Sequence, residues 1–359
     1  MYIVRPVQND DVDALFNLVQ EAAYGLTTLK VSRTILADRV ERSVYSFGQA
    51  HAKPEGQPYV FVMENTSNGR LVGTSTLYSK VGGFDPFYTY LIKAEHKVSS
   101  DPELDFHVDI QVPYLSLSKQ HDGPTEIGSL YLARDCWGMG LGRLLSLSRF
   151  LFMAQFPARF ENEVIAEMRG VVDDQGESPL WNALGKHFFQ QSFPEAETLT
   201  QRSKKLIAQL MPKNEIYIPL LPAEAQNVIG AVHPNTRPAL AMLEQEGFAF
   251  RQHVDIFDGG PAVHCETNKI RTVRDSREAR IVSIADNVEG VAMLIANTDL
   301  DFRVSHANLR VVEANPDRNS VELDAVTALR LQVLVGDSIR FVRPKLEPKT
   351  SLEHSKNII

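Results

Sequence analysis

The sequence predicts an α+β fold: a mixed, mostly antiparallel sheet flanked by helices, with an extended second α/β half and a small β-rich C-terminal module. Three observations lead there. Strand and helix patterns alternate from the N-terminus and run into a hairpin signal. A short apolar strand then enters a glycine loop and a long apolar helix over residues 126–156. Finally, composition shifts near residue 275, beyond which the apolar runs are short and rich in β-formers.

Taken in order, Tyr2–Pro6 reads as a strand, and Asp10 or Asp11 can cap the helix that carries Val12, Leu15, Leu18 and Val19 at helical spacing. The segment 24–29 breaks that helix, and a second amphipathic helix is expected over Ser32–Phe47. Tyr59–Glu64 and Leu71–Ser79 flank a turn at Thr66–Gly69 and read as a hairpin. Gly82–Tyr90, with two glycines, Pro86 and four aromatics, reads as a loop. Strands are expected at Val112–Leu117, Ile127–Leu132, Glu163–Arg169 and Phe248–Phe257. Leu141–Phe156 and Leu199–Met211 read as helices, and Asn235–Glu246 as a helix that stops at Gly247. Ser178 and Pro179 open another as cap and first residue. Asn227–His233 reads as a turn or strand end, and the charge-rich Arg271–Arg280 as a linker. Short strands follow at Ile281–Ile284, Gly290–Ala296, Phe302–Val311 and Ser338–Val342.

The bulk numbers narrow the function classes. With 43% hydrophobic and 23% charged residues in 359, the composition is that of a globular protein of two or three domains. A formal net charge of −8 gives no support for nucleic-acid binding, which would show a basic face, and leaves room for a local basic patch around an acidic cofactor. Two cysteines, Cys136 and Cys265, exclude a disulfide framework and point to a reducing cytoplasmic location. No apolar run reaches membrane-spanning length, and the N-terminus lacks a signal-peptide pattern. The ten histidines are scattered without HExxH or Cys-x-x-Cys spacing, so no metal site is expected. No G-x-S-x-G nucleophile elbow occurs either.

The richest segment is Trp137-Gly138-Met139-Gly140-Leu141-Gly142-Arg143 between the strand and the helix. Glycines at alternate positions allow positive φ and close approach of a ligand to the backbone. Unpaired amides at a helix N-terminus, with the helix dipole behind them, suit a pyrophosphate. Neither the G-x-x-x-x-G-K-[ST] loop nor the G-x-G-x-x-G fingerprint fits the spacing. The G-x-G-x-G pattern resembles the acyl-CoA loop of the GNAT acyltransferase superfamily, with Trp137 where Arg or Gln is usual.

Further blocks make a narrower resemblance, to the arginine N-succinyltransferase family, from Ile3 to about Ala262. They include Gly25–Leu29, Leu144-Leu145-Ser146 through Arg149-Phe150, Ala166–Gly170, Ser178–Trp181 and Leu210–Lys213. Val228–Pro234 and Asp255–Pro261 are the longest. Leu147 stands where that family commonly has Lys. The resemblance implies a GNAT acyl-CoA-binding domain over 1–200 and a second α/β part over 201–275 carrying His233. A β-rich module over 276–350 and a disordered tail over 351–359 complete the expected organisation.

The resemblance also implies the reaction: a succinyl group passes from succinyl-CoA, a co-substrate, to the α-amine of L-arginine, with no permanently bound cofactor. His233 precedes Pro234 and a helix start. Read alone it is more simply a capping histidine, and the family's acid/base histidine in this block turns the choice towards a proton carrier. Leu130 is the implied backbone contact to CoA, while Gly138, Gly140, Gly142 and Arg143 are expected at the pyrophosphate. Arg143 reads equally as a solvated first-turn residue. Thr27, Tyr88, Glu167 and Arg169 are candidates for the amino-acid side, which needs carboxylates for a guanidinium and a cation for a carboxylate. No partner for the succinyl carboxylate stands out. The expected partners are these small molecules and, in a homo- or hetero-oligomer, related subunits. The alternatives are an acyltransferase for ornithine or another basic amino acid, and a non-catalytic acyl-CoA- or arginine-binding subunit.

Overall fold

The computed structural model describes residues 1–21, 31–173, 175–313 and 319–344. The expected Gly25–Leu29 loop with Thr27, and the tail over 351–359, lie outside the described residues.

The strands are β1 (Tyr2–Pro6), β2 (Pro58–Asn65), β3 (Arg70–Tyr78), β4 (Gly82–Asp101), β5 (Phe106–Asp122), β6 (Thr125–Leu132), β7 (Glu163–Glu167) and β8 (Ile216–Tyr217). They continue as β9 (Ala249–Val254), β10 (Pro261–Glu266), β11 (Arg277–Ala285), β12 (Val291–Asn297), β13 (Val304–Glu313), β14 (Asn319–Asp324) and β15 (Ser338–Val342). The helices begin with α1 (Val12–Gln20), α2 (Arg33–Gly48), α3 (Leu141–Gln155), α4 (Pro179–Ala183), α5 (Gly185–Phe189) and α6 (Phe193–Arg202). After them come α7 (Lys205–Leu210), α8 (Ala223–Val228), α9 (Arg237–Glu246), α10 (Arg271–Asp275) and α11 (Ala325–Leu331).

The main sheet runs β1-β2-β3-β6-β7-β10-β9-β4-β5-β8. At β1 it joins a ring in which β13, β12, β15, β11 and β14 pair in turn and β14 returns to β13. Among the described residues only β6–β7 and β11–β14 pair in parallel. This is the expected mixed, mostly antiparallel sheet flanked by helices, with the small β-rich module beyond it.

α3 is where the core sits. Eleven of its side chains are buried, including Leu144, Leu145, Leu147, Phe150, Leu151 and Phe152. A helix apolar on nearly every side must be covered on nearly every side. It packs on β3 and β6, on α10, and on β12 and β13 of the ring. Phe152 contacts Phe47, Tyr59, Phe61, Phe156, Phe160 and Phe302 ring to ring. Each buried ring stabilises by about 1.5–3 kcal/mol, so this cluster anchors α3 firmly.

Several segments differ from the sequence expectation. Gly82–Tyr90 is not a loop but the start of β4, the first arm of a long hairpin with β5. Its glycines and Pro86 fall where the register shifts between Gly82 and Phe87. Residues 86–90 are all buried, so no alternating pattern announces a strand. Arg271–Arg280 is not a linker: it holds α10 and the start of β11. The expected helix over Leu199–Met211 begins earlier, at Phe193, and breaks between α6 and α7. Asn227 and Val228 belong to α8, and Gly230 turns the chain at φ 75°.

Candidate active site

The site begins with a parallel pairing that stops early. β6 and β7 are in register at Thr125–Val164 and Glu126–Ile165, and then separate. Ser129 adopts φ 51° in β6, opposite the register shift at Thr74 and Thr76 of β3. That bulge turns β6 away from β7. A cavity of about 200 Å³ opens in the gap. Residues 127–130 of β6 form one wall, and 166–169 at the end of β7 form the other. Ser146 and Arg149 of α3, Thr236, Ala239 and Leu243 at α9, and Phe193 and Glu197 of α6 close it.

One end of the cavity is acidic. Glu126, Glu167, Asp255 and Asp258 all line it. Asp255 accepts the N–H groups of Phe257 and Asp258, at 2.7 and 2.8 Å. Asp258 accepts those of Gly170 and Gly260, both at 2.8 Å, and so ties the turn after β9 to the end of β7. The Glu167 Oε1 atom is buried without a hydrogen-bond partner. Burial first, and then the neighbouring Asp255, Glu126 and Asp258, raise the Glu167 carboxyl well above its ordinary range. Burial likewise raises Glu126 and Asp255, and Asp258 is pushed up to about 7 by burial and by Asp255. Lys204 tempers the group from nearby. Carboxyls this crowded share protons until a cation arrives.

This crowding has a measurable pH signature. Unfolded, the Glu carboxyl titrates near 4.5, whereas folded Glu167 titrates well above that value. Between the two, the folded chain holds a proton that the unfolded chain has released. The stability present at low pH is therefore lost as pH rises through the folded value. A Glu167→Gln variant should thus gain stability relative to the parent chain as pH rises from about 5 to 8. Thermal melts of both proteins across that range check this, and a difference independent of pH contradicts it.

Arg169 lines the cavity, and His233, itself not a lining residue, is hydrogen-bonded to it through the backbone. The Arg169 guanidinium Nε is buried without a hydrogen-bond partner, and Asp258 and Glu197 are the nearby countercharges. The His233 N–H donates to the Arg169 carbonyl at 2.8 Å. Its ring Nδ1 accepts the Asn235 N–H at 3.1 Å, capping the short turn before α9. A ring that accepts at Nδ1 carries its proton, when neutral, on Nε2. Burial, with Arg169 adding to it, lowers the ring's pKa and keeps that neutral form. His233 therefore caps the turn, as the plain reading of the sequence has it, and its Nε2–H has no partner among the described residues.

The glycine loop lies at the other end of β6. Gly138 and Gly140 adopt φ 79° and 76°, and a Cβ at either would meet nothing within 4 Å. The glycines there serve backbone conformation and leave open space above the loop. Among the described residues, the N–H groups of Gly138 through Gly142 have no partner within the chain. Trp137 turns its indole back, donating Nε1–H to the Leu132 carbonyl at 2.9 Å and stitching the loop to β6. Arg143 is engaged elsewhere than expected. Its guanidinium donates to Gln245 Oε1 at 2.9 Å and the Pro344 carbonyl at 3.3 Å, and its N–H to the Gly140 carbonyl at 3.2 Å.

The structure brings Leu130, Glu167 and Arg169 into one cavity and Gly138, Gly140 and Gly142 along the strand-to-helix path, while His233 is not a lining residue and is hydrogen-bonded to the Arg169 backbone. It does not bring Tyr88 there. Tyr88 is buried in a second core with Tyr90 and Trp181. Sequence reasoning missed Glu126 and gave no role to Arg149, Asp255 or Asp258. For Arg149 a signal existed, the one charge in the otherwise uncharged, mostly apolar run from Leu144 to Met153. Among the described residues no group of His, Cys, Asp and Glu is arranged to hold a metal, and no helix is long and apolar enough to cross a membrane.

Comparison with known proteins fits this geometry. Residues 2–272 match the family model described as arginine N-succinyltransferase beta subunit, and residues 277–343 match that of its C-terminal domain. Arginine N-succinyltransferase of Escherichia fergusonii is 40% identical over 356 residues, covering 98% of this chain and all of the relative. The Escherichia coli K12 protein of the same name is 39% identical over the same length. The solved structure of arginine/ornithine succinyltransferase subunit AI from Pseudomonas aeruginosa superposes with a TM-score of 0.84 at 33% identity, covering 96% of this chain and 99% of that one. Alike in sequence and fold from one end to the other, the chain belongs to the arginine N-succinyltransferase family.

Proposed function

We propose that this chain transfers the succinyl group of succinyl-CoA to the α-amino group of L-arginine in a ternary complex, the first step of arginine catabolism by the succinyltransferase pathway. The observation that carries the reading is full-length kinship joined to a cavity whose carboxyls suit a cationic acceptor. CoA lies along β6, its pyrophosphate on the open amides of Gly138, Gly140 and Gly142. The pantetheine amides pair with the unpaired edge of β6 at Leu130, as an added strand would. The acid pole takes the positive acceptor, and Arg169 faces its α-carboxylate. Arg143, tied to Gln245 and Pro344, braces the loop and lends it positive field.

In the reaction the α-ammonium first releases a proton to solvent; the amine nitrogen then bonds to the thioester carbonyl carbon and passes its second proton to the acid pole. The tetrahedral oxyanion collapses, the C–S bond breaks, and the departing thiolate, met by a hydrogen bond from the neutral His233 Nε2–H, takes up a proton from solvent. A second reading, favoured by the name of the Pseudomonas relative, replaces arginine by ornithine, which the same acid pole accommodates. Assembly with a second copy or a related subunit is part of the proposal. It is supported by the exposed Val98, Leu104, Phe106 and Ile110 on the β4–β5 hairpin.

Thiol release by the purified chain tests the function, using succinyl-CoA and acetyl-CoA, each with arginine, ornithine and lysine. Turnover confined to succinyl-CoA with arginine is expected. An ornithine preference changes the acceptor, and no release from any pair removes the catalytic reading.

A further inference from the structure

The cavity's second pole is a cation with no carboxylate of its own. Arg149 is 2% exposed in the middle of α3, and it lines the cavity. Its Nε donates to the Ser146 carbonyl at 3.1 Å and its Nη2 to the Ser146 hydroxyl at 2.9 Å. Among the described residues its Nη1 has no hydrogen-bond partner and no Asp or Glu pairs with it. Burial alone pushes the guanidinium down to about 9, with no neighbouring charge to offset it.

An arginine so buried is costly unless an anion joins it. Arg159, also buried, differs in standing away from the cavity with its guanidinium bonded to two carbonyls and the Tyr59 hydroxyl. Arg149 faces the cavity instead. Ser146 and Arg149, three residues apart, share one face of the helix that starts at the glycine loop. Arg149 lies about 10 Å along the axis from Gly142, on the acyl-donor side of the gap. The ternary complex brings two carboxylates, one on the succinyl group and one on the amino acid. Two arginines line the cavity, and Arg169, at the end of β7 beside the acid pole, suits the amino acid.

We propose that Arg149, oriented by Ser146, seats the terminal carboxylate of the succinyl group and so selects a dicarboxylic acyl donor over a neutral one. This rests on the acyl donor proposed above. A forked guanidinium matches a carboxylate in two parallel hydrogen bonds, a fit that an alkyl end cannot use.

Butyryl-CoA, which replaces the carboxylate by a methyl group, is the discriminating probe. Arg149→Met should lower the succinyl-to-butyryl ratio of kcat/KM by about a hundredfold or more, and Arg149→Lys should restore part of it. The ratio for arginine over agmatine, which lacks the α-carboxylate, should stay as in the parent chain. Equal loss with both acyl donors overturns the proposal, and so does a change confined to arginine over agmatine. Should Arg149→Met fail to fold, calorimetry on the parent chain decides: succinyl-CoA binding no tighter than butyryl-CoA overturns it. Absence of any turnover by the parent chain counts against the proposed activity, whereas the binding comparison still reads the seat.

Discussion

Replacing His233 by alanine is expected to lower turnover by about a hundredfold or more while CoA still binds. The histidine has two jobs in the structure, and a second variant separates them. Its Nδ1 caps the turn before α9 through the Asn235 N–H, and its carbonyl receives the Thr236 N–H and hydroxyl. Losing the side-chain cap costs about 1 kcal/mol. An asparagine can supply an oxygen to the same N–H but lacks the ring Nε2–H that meets the thiolate. His233→Asn should therefore melt close to the parent chain, and His233→Ala below it, while both lose turnover. Full turnover by His233→Asn would leave the histidine a cap and nothing more.

The largest effect on stability is expected at Glu246. Its carboxylate is buried at the end of α9 and receives Arg271 Nε and Nη2 at 2.9 and 2.6 Å, and the Thr272 N–H at 2.7 Å. Arg271 also donates to the Arg343 carbonyl at 3.0 Å, so one ion pair ties α9, α10 and the strand-end after β15. Removing one partner of a buried pair leaves the other charge without compensation, at about 3–5 kcal/mol. Glu246→Ala should accordingly show a much lower denaturation midpoint, and Glu246→Ala with Arg271→Met should recover part of the loss. A double variant as unstable as the sum of the single ones would contradict the pairing.

The sequence made some parts of this molecule plain. A strand, alternate glycines and an apolar helix predicted β6, the loop and α3 almost residue for residue. Ser178 with Pro179, and Gly247 at φ 102°, marked helix ends as expected. These are local signals, set by backbone conformation and capping. The acid pole was not legible, because Glu126, Glu167, Asp255 and Asp258 meet only through the β6–β7 register and the turn after β9. Arg271 misled for the related reason that a charge-rich stretch reads as solvated, and nothing local reveals a buried partner 25 residues away. Gly82–Tyr90 misled because its buried part, residues 86–90, is covered on both faces and loses its alternation. Glu167, Arg169 and His233 came from the family resemblance; the meeting of Glu167 and Arg169 at one cavity, with His233 hydrogen-bonded to the Arg169 backbone, is a product of the fold.

The central claim is that the gap between β6 and β7 joins a succinyl thioester to the α-amine of arginine. The most direct test is the structure of the product formed by the purified chain from succinyl-CoA and L-arginine, read by mass and by nuclear magnetic resonance. The account predicts succinylarginine acylated on the α-nitrogen with a free guanidinium. Acylation at the guanidinium, or no product while CoA binds, would contradict it.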